Sequence, residues 1–191
     1  MKKLFTIATV VAAMVLVSCG AKKSVANTGV SPFGDTYEMP AAEYDTDEEF
    51  GATGIASGSK MRMDVLQRTA LNNAQNIVRQ KMQHAYKGAF DDYMNYVGNN
   101  VGADAQTKAE AGGTQIMDLI VNDTKATKVV FSSPDEKGNV TCFVGIRVNK
   151  KAVSDKIADY VSEDEELKIR FKEDEFRKKM EAYFKKYKEN K

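Results

Sequence analysis

The sequence has few of the residues on which catalytic and metal sites most often depend. Its 191 residues include one histidine, His84, and two cysteines, Cys19 and Cys142. A single histidine excludes a metal site built from several imidazoles and leaves Cys142 with His84 as a Cys–His pair to consider. The sequence also lacks a phosphate-binding loop, a GxSxG nucleophile elbow and a CxxC motif. We therefore expect no enzymatic activity, no catalytic residues, no metal, no cofactor and no small-molecule substrate.

The chain has no excess of charge of either sign. It contains 28 basic and 27 acidic residues, for a formal net charge of +1. A near-neutral chain has no overall electrostatic attraction to nucleic acid, so we expect no nucleic-acid partner. Asp91 and Asp92 are adjacent acids that could bind a cation, but paired acids on a helix are more often a solvated face.

The uncharged stretch near the N-terminus is too short to span a membrane. After Lys2 and Lys3, residues 4–17 are uncharged, which is shorter than the ~20 apolar residues that a membrane helix needs. Residues 1–18 are therefore predicted to be a signal peptide. The motif Leu16-Val17-Ser18-Cys19 matches the lipobox of bacterial lipoproteins, whose cysteine is joined to diacylglycerol before the chain is cut in front of it. Cys19 is the predicted lipidation site; the alternative is an ordinary cysteine after a secretion cleavage site.

Lipidation of Cys19 would decide the address and the redox chemistry of the protein. A multiply acylated cysteine is a stable membrane anchor. No Asp follows Cys19 to indicate inner-membrane retention, so the expected location is the outer membrane, facing the periplasm, with surface exposure left open. Cys142 would be the remaining thiol, and no intramolecular disulfide could form.

Composition divides the mature chain into three parts. Residues 19–51 are rich in Gly, Ser, Pro and acids and are predicted to be a lipidated flexible tether. Phe33, Tyr37 and Tyr44 leave room for a short stretch that docks on the domain. Residues 52–155 are the predicted domain, and residues 156–191 are a predicted charged, amphipathic helical tail.

The domain begins with a strand and a long helix. Residues 52–59 (ATGIASGS) read as a strand in which Gly54 and Gly58 permit a close backbone approach. Helical spacing then continues to about Gly98, with Ser59 or Asp64 as the cap. A stripe of alanines would let this helix lie close on a sheet, and its far face is rich in uncharged amides: Asn72, Asn73, Gln75, Asn76, Gln80 and Gln83.

Two strands close the domain. Gly112-Gly113 is predicted to separate a weaker helical piece from the short apolar run TQIMDLIV. Residues 127–133 (TKVVFSS) are predicted to be a strand before a polar loop at 134–139. The next strand, VTCFVGIRV, alternates apolar and other residues, which places Cys142 in the core as an inert thiol. The predicted fold class is α+β: a small β-α-β-β domain, with a long helix packed on an antiparallel hairpin sheet, plus a C-terminal helix.

The C-terminal residues predict a helix over 163–191. A capping box is expected at Ser162-Glu163-Asp164-Glu165, and the apolar stripe that follows is broken between Phe171 and Phe176. An interrupted stripe suggests a helix that the domain does not require. Its second half is basic and carries the candidate polyanion-binding residues Arg177, Lys178, Lys179, Lys185 and Lys186. Complementing the helix dipole is the alternative explanation of these charges.

Four segments together resemble a known family. They are the signal ending in LVSC, the strand ATGIAS, the helix LQRTALNNAQNIVRQKM and the strand GNVTCFVGIRVNKKAV. They resemble the Lpp-twenty family, small lipoproteins of Gram-negative bacteria, and the domain is similar to the N-terminal module of a flagellar basal-body assembly protein. The resemblance covers about residues 50–155. It implies a β-α-β-β domain anchored to the outer membrane, without catalytic residues. The Gly-rich stretch at 98–113 and the charged C-terminal helix depart from the family's compact form.

Two kinds of function remain open at this point. The first is a noncatalytic, lipid-anchored scaffold or accessory subunit of an envelope assembly, with a protein partner at the free edge of the sheet or at the amide-rich helix face. The second is a binding module for an anionic envelope polymer or membrane surface, acting through the basic C-terminal helix.

Overall fold

The computed structural model describes residues 28–30 and 36–187, so the predicted signal peptide and Cys19 lie outside the described residues. The described strands are β1 (Thr28–Val30), β2 (Thr36–Glu38), β3 (Glu49–Ser59), β4 (Lys128–Phe131) and β5 (Asn139–Asn149). The described α-helices are α1 (Met63–Val97), α2 (Ala103–Asn122), α3 (Lys150–Glu163), α4 (Glu165–Arg170) and α5 (Glu173–Lys186). Five helices and a three-stranded antiparallel sheet confirm the predicted α+β class within these residues.

The sheet has the strand order β3-β5-β4 and both of its strand pairs are antiparallel. β4 and β5 form the predicted hairpin, and β5 also pairs along its whole length with β3, where Ala56 lies opposite Cys142. The predicted apolar face of β5 is confirmed, because all five of its alternating residues are buried: Val140, Cys142, Val144, Ile146 and Val148. β1 and β2 form a separate antiparallel ladder.

The contact between α1 and the sheet depends on small residues, as predicted. A Cβ atom added to Gly54 would lie 1.9 Å from the carbonyl oxygen of Ala70 and 2.4 Å from the amide nitrogen of Ala74. The backbones of β3 and α1 therefore touch directly, which a glycine opposite two alanines permits. The hydroxyl of Ser59 accepts a hydrogen bond from an amide of the 3₁₀ turn that leads into α1. The helix ends, as predicted, at Gly98, where φ is 67°.

α2 runs without a break through Gly112 and Gly113, so the predicted separation at these glycines was wrong. Both glycines make room for aromatic rings of neighbouring helices. A Cβ on Gly112 would lie 2.0 Å from the ring of Tyr160, and a Cβ on Gly113 would lie 2.3 Å from the ring of Tyr86. The Tyr86 hydroxyl also donates to the carbonyl of Ala109 at 2.8 Å. Tertiary packing thus outweighs the low helix propensity of the two glycines.

The C-terminal part has three helices, and two of them, α4 and α5, lie in the range 163–191 where the sequence predicted one. The first, α3, starts at Lys150, directly after β5, because the side chain of Asn149 caps it by accepting a hydrogen bond from the amide of Ala152 at 2.8 Å. A second break falls at 171–172, between α4 and α5. Within the described residues the predicted helix over 163–191 is therefore divided into α4 and α5, and α3 precedes it.

The predicted capping box at Ser162 was also wrong. Ser162 lies inside α3, and its hydroxyl donates to the carbonyl of Asp159 at 3.0 Å. The cap is Asp164, whose carboxylate accepts hydrogen bonds from the amides of Glu166 and Leu167 at 3.1 and 3.0 Å. Aspartate and serine are both good caps, and the end of the preceding helix decides between them.

The three helices contribute buried side chains to the core, whereas the sequence predicted over residues 163–191 a helix that the domain stabilises but does not require. Phe171 stacks on Tyr93 of α1 with ring centroids 5.5 Å apart, and Phe176 meets the same Tyr93 ring edge-on at 5.1 Å. The helical conformation is interrupted at residues 171–172, between α4 and α5. This interruption changes the orientation of the helix that follows, so that Phe171 and Phe176 both belong to one continuous apolar face. Five residues of this part are 5% exposed or less: Leu167, Phe171, Phe176, Met180 and Phe184.

Candidate functional site

The outward face of the sheet carries an apolar row across all three strands. Ile55, Phe143 and Val130 lie side by side on β3, β5 and β4, and they are termed the apolar row. Ile55 is 39% exposed, and the other two are partly exposed. The next row toward the hairpin loop is polar, with the hydroxyls of Ser57 and Thr141 2.8 Å apart. Apolar side chains therefore lie on a face that is otherwise hydrophilic.

Residues 41–46, termed the strap, cross the same face on the other side of the apolar row. The backbone of the strap lies over two glycines of the sheet. A Cβ on Gly51 would lie 2.5 Å from the carbonyl oxygen of Tyr44, and a Cβ on Gly145 would lie 2.7 Å from the carbonyl oxygen of Ala41. The strap thus occupies the space that outward side chains would fill on β3 and β5.

Two ion pairs fix the strap to the domain. Glu43 pairs with Arg147 of β5, and Asp45 pairs with Lys81 of α1 at 3.3 Å. The side chains of Lys81 and Asp45 are 10% and 6% exposed, so this pair is almost entirely removed from water and depends on good geometry. The boundary of the predicted tether, residues 19–51, was therefore wrong. Its last acids are paired rather than solvated, and β3 starts within the range.

A free edge of the sheet is one of the two predicted partner surfaces, and of its two edge strands, β3 and β4, β3 already has hydrogen-bond partners along its outer side. The amide of Gly51 donates to Asp45 at 3.0 Å, and its carbonyl accepts from Lys81 at 2.9 Å. Further along, the carbonyl of Ile55 accepts from the side chain of Asn73 at 2.9 Å. These side chains take the place of a neighbouring strand, so this part of the edge is poorly suited to adding one.

The second predicted partner surface, the amide-rich face of α1, is partly used within the domain. Gln75 donates to the carbonyls of Val121 and Thr124 at 3.1 Å and so satisfies the C-terminal end of α2. Asn76 accepts from Arg79 at 2.6 Å. Most of the uncharged side chains of this face are nevertheless exposed to solvent.

The exposed side chains along the middle of α1 form an uncharged stripe. All seven residues that are exposed between positions 69 and 84 lack a formal charge, and they are termed the α1 stripe: Thr69, Asn72, Asn73, Asn76, Ile77, Gln80 and His84. In the chain as a whole, 29% of residues are charged. Charged residues are depleted from the centres of protein interfaces, which makes this stripe a candidate contact surface.

Three of the five candidate polyanion-binding residues are paired with acids of the same domain. These pairs are Arg177 with Asp155, Asp159 and Glu173, Lys178 with Glu175, and Lys179 with Asp92. Lys185 and Lys186 are exposed at the end of α5, and no carboxylate within residues 36–187 forms an ion pair with either. The structure thus brings two unpaired cations together rather than five.

A pocket of about 610 Å³ lies between the start of α3 and the end of α5, where sequence reasoning expected no site. Its lining mixes acids with Lys150, Lys151 and Lys185. Lys150 is buried, and its ammonium donates to the carbonyls of Thr46 and Tyr187 at 2.7 Å. This lysine therefore joins the strap to the end of α5.

The residues considered for catalysis are not arranged as a Cys–His pair. Cys142 is fully buried, and burial raises the pKa of its thiol, which fits the predicted inert role. His84 is exposed on α1, with its ring 6.1 Å from that of Tyr187. Asp91 and Asp92 are both exposed.

The described residues contain neither a cluster suited to a metal ion nor a membrane-spanning helix. Within them, no group of three or more His, Cys, Asp or Glu side chains is placed to hold a metal ion. No helix among them combines the length and the apolar character needed to cross a membrane.

Comparison with known proteins adds no assignment. No protein-family model matches the chain, and no curated protein matches it.

Proposed function

We propose that this protein is a lipid-anchored protein of the cell envelope, without catalytic activity, that serves as a scaffold or accessory subunit of an envelope assembly. The lipobox that ends at Cys19 supports the anchor, and the expected address is the outer membrane, facing the periplasm. The strap supports a firm link between the lipid anchor and the domain, because its ion pairs hold residues 41–46 against the sheet and α1. Roughly 22 residues separate Cys19 from Ala41, which limits the reach of this link to about 75 Å.

The resemblance to the Lpp-twenty family is part of this proposal. The element order β3, α1, β4, β5 agrees with the β-α-β-β arrangement that the resemblance implies. α2 and the three C-terminal helices go beyond that arrangement, so a partner specific to this chain is expected.

The observation that carries the scaffold role is the α1 stripe. Its amides can donate and accept hydrogen bonds without the desolvation cost of a charge, and Ile77 adds an apolar contact that is 37% exposed. The surface runs over about four turns of a helix that is held rigidly by the sheet beneath it. A rigid helix face of this kind suits a folded protein partner.

The scaffold role is tested by charge substitution on the stripe in the full chain. Gln80→Glu places a charge in the proposed interface, whereas Gln115→Glu makes the same change at an exposed position of α2. Crosslinking in intact cells, read by mass spectrometry, should lose a defined partner only with Gln80→Glu. An unpaired charge at an interface costs several kcal/mol, so a loss of more than roughly tenfold is expected. An equal crosslinking pattern for both variants would contradict the proposal.

The second candidate is binding of an anionic polymer or membrane surface. The exposed, unpaired Lys185 and Lys186 favour it, although intramolecular ion pairs occupy the other three cations. Binding through two lysines should weaken steeply as salt rises and be lost in Lys185→Gln with Lys186→Gln. Salt-insensitive binding would instead indicate an apolar protein contact.

A further inference from the structure

In the part of the chain that the structure describes, β4 has no neighbouring strand along its outer side. The amide of Ser132, directly after β4, donates to the carbonyl of Thr141 in β5 at 2.8 Å. Backbone groups alternate in direction along an antiparallel strand, so those of Val129 and Phe131 face away from β5. No described residue forms a hydrogen bond with these outward groups. The outer edge of β4 is therefore open to another strand.

The outward groups of β4 fit a second copy of the same strand. In an antiparallel pair centred on Val130, Val129 of each copy lies opposite Phe131 of the other. These are the residues whose backbone groups face outward, so each of the two pairs can exchange two hydrogen bonds. A register centred on Val129 or on Phe131 aligns one such pair instead of two. The strand is thus complementary to itself in one register.

The side chains favour the same register. Val130 belongs to the apolar row with Phe143 and Ile55, and a pair centred on Val130 joins the rows of the two copies across six strands. On the other face of the sheet, Phe131 of each copy lies beside Val129 of the second copy. Both side chains pack at the margin of the core and are partly exposed, so the pairing removes more of their apolar surface from water.

Charge does not oppose this pairing. Edge strands are commonly protected by charged side chains, by proline or by bulges. The only charged residue of β4 is Lys128, and in the register centred on Val130 it lies opposite Ser132 of the second copy rather than opposite the other lysine. The edge of β3 differs, because side chains of the same chain already bond to its outward groups. A strand can therefore be added at β4 more readily than at β3.

We propose that β4 is a self-association edge, at which two copies of the chain pair their β4 strands antiparallel about Val130 and form one six-stranded sheet. A second copy is the occupant, because the outward residues of β4 complement each other in sequence position as well as in chemistry. The strand has four residues, so the contact lies well below the roughly 1,600 Å² of a standard interface and the pair should dissociate readily. The pairing does not rest on lipidation or on the α1 stripe.

Disulfide crosslinking in intact cells that produce the full chain tests this pairing. Val130→Cys places two thiols on opposite residues of a non-hydrogen-bonded pair, where Cα atoms lie about 4.5 Å apart and a disulfide fits. Mild oxidation should give a dimer on a non-reducing gel, and mass spectrometry of the linked peptides should show residue 130 joined to itself. The unsubstituted chain reports any crosslink through Cys19.

Ile55→Cys is the matched control in the same apolar row. Ile55 is 39% exposed but lies on the far edge strand, so its two copies would be about 24 Å apart in the six-stranded sheet. Thiols held together in a pair have an effective concentration of about millimolar, which chance collisions do not reach. Val130→Cys should therefore form its dimer at least roughly tenfold faster than Ile55→Cys.

A mixed experiment tests the register without changing Val130. Lys128→Cys and Ser132→Cys should each give little dimer alone, because equivalent residues of the two copies lie about 13 Å apart along the strands. The two variants produced in the same cells should crosslink to each other. This mixture decides the question if Val130→Cys fails to fold.

Three outcomes would overturn the proposal. Ile55→Cys could form a dimer as fast as Val130→Cys, or the mixed variants could fail to crosslink. Residue 130 could also be joined to a different protein, which would assign the edge of β4 to an unrelated strand.

Discussion

Gly54→Ala should destabilise the domain strongly, because α1 leaves no space for a methyl group at this position. The added Cβ would lie 1.9 Å from the carbonyl oxygen of Ala70 and 2.4 Å from the amide nitrogen of Ala74. Both are backbone atoms, so neither can rotate away. Ordinary van der Waals contact begins at 3.4 Å, which means that α1 must retreat from β3 by about 1.5 Å.

The cost follows from the packing that such a retreat would loosen. A gap of even ~0.5–1 Å already removes a quarter to a half of the dispersion attraction between facing atoms. Overpacking of a core costs about 1–3 kcal/mol, and more where backbone must move. We therefore expect a loss of about 3 kcal/mol or more, a large part of the roughly 5–15 kcal/mol by which domains are stable.

Gly58→Ala is the matched control on the same strand. There the nearest atom to an added Cβ is the terminal Cδ2 of Leu66 at 3.1 Å, and this flexible side chain can move. Gly58→Ala should lower the free energy of unfolding by less than about 1 kcal/mol. Alanine reduces the conformational entropy of the unfolded chain, and this stabilisation offsets part of the strain. Urea denaturation followed by circular dichroism compares the two variants. Equal transition midpoints would refute the close contact between β3 and α1.

Three further measurements test other parts of the fold. Cys142 should resist thiol reagents in the native protein and react after denaturation, because it is fully buried; rapid native labelling would mean that β5 is shifted by one residue. Truncation after Ser162 should abolish cooperative urea unfolding, because it removes Phe176 and its neighbours from the core, and a cooperative truncated domain would show that this packing is dispensable. Asp164→Asn should flatten the acid dependence of stability. Lys108 and the amides at the start of α4 lower the pKa of Asp164, so its contribution is present above the ordinary value of 3.8 and is lost as pH falls through the lowered value. Identical pH dependence of the urea midpoint in both proteins would exclude this role.

The elements that the sequence predicted well are those that depend on local pattern. The alternation along β5 identified the buried face that includes Cys142, and Gly54 opposite a stripe of alanines indicated the close helix contact. Both signals are periodic and lie within one element. Errors occurred where a distant residue decides the outcome. Gly112 and Gly113 do not end α2, because Tyr160 and Tyr86 fill the space above them.

The sequence indicates the strap only through Tyr44, one of three aromatic residues that leave room for a docking stretch, and its ion pairs could not be predicted for the same reason. Its acids look solvated in the sequence, and their partners lie far along the chain: Lys81 is 36 residues from Asp45, and Arg147 is 104 residues from Glu43. One local signal was available. Gly145 has no side chain at an outward-facing position of β5. A glycine at such a position indicates that another backbone approaches closely there.

Fatty-acid labelling of intact cells is a direct test of the proposed lipid anchor. Cells that produce the full chain are grown with a radiolabelled fatty acid, and the protein is isolated from the membrane fraction. We expect label on the wild-type protein and loss of both the label and the membrane association in Cys19→Ala. The folded domain of this variant should unfold at the same urea concentration as wild type. Label retained by Cys19→Ala, or an unlabelled wild-type protein, would contradict the proposed anchor.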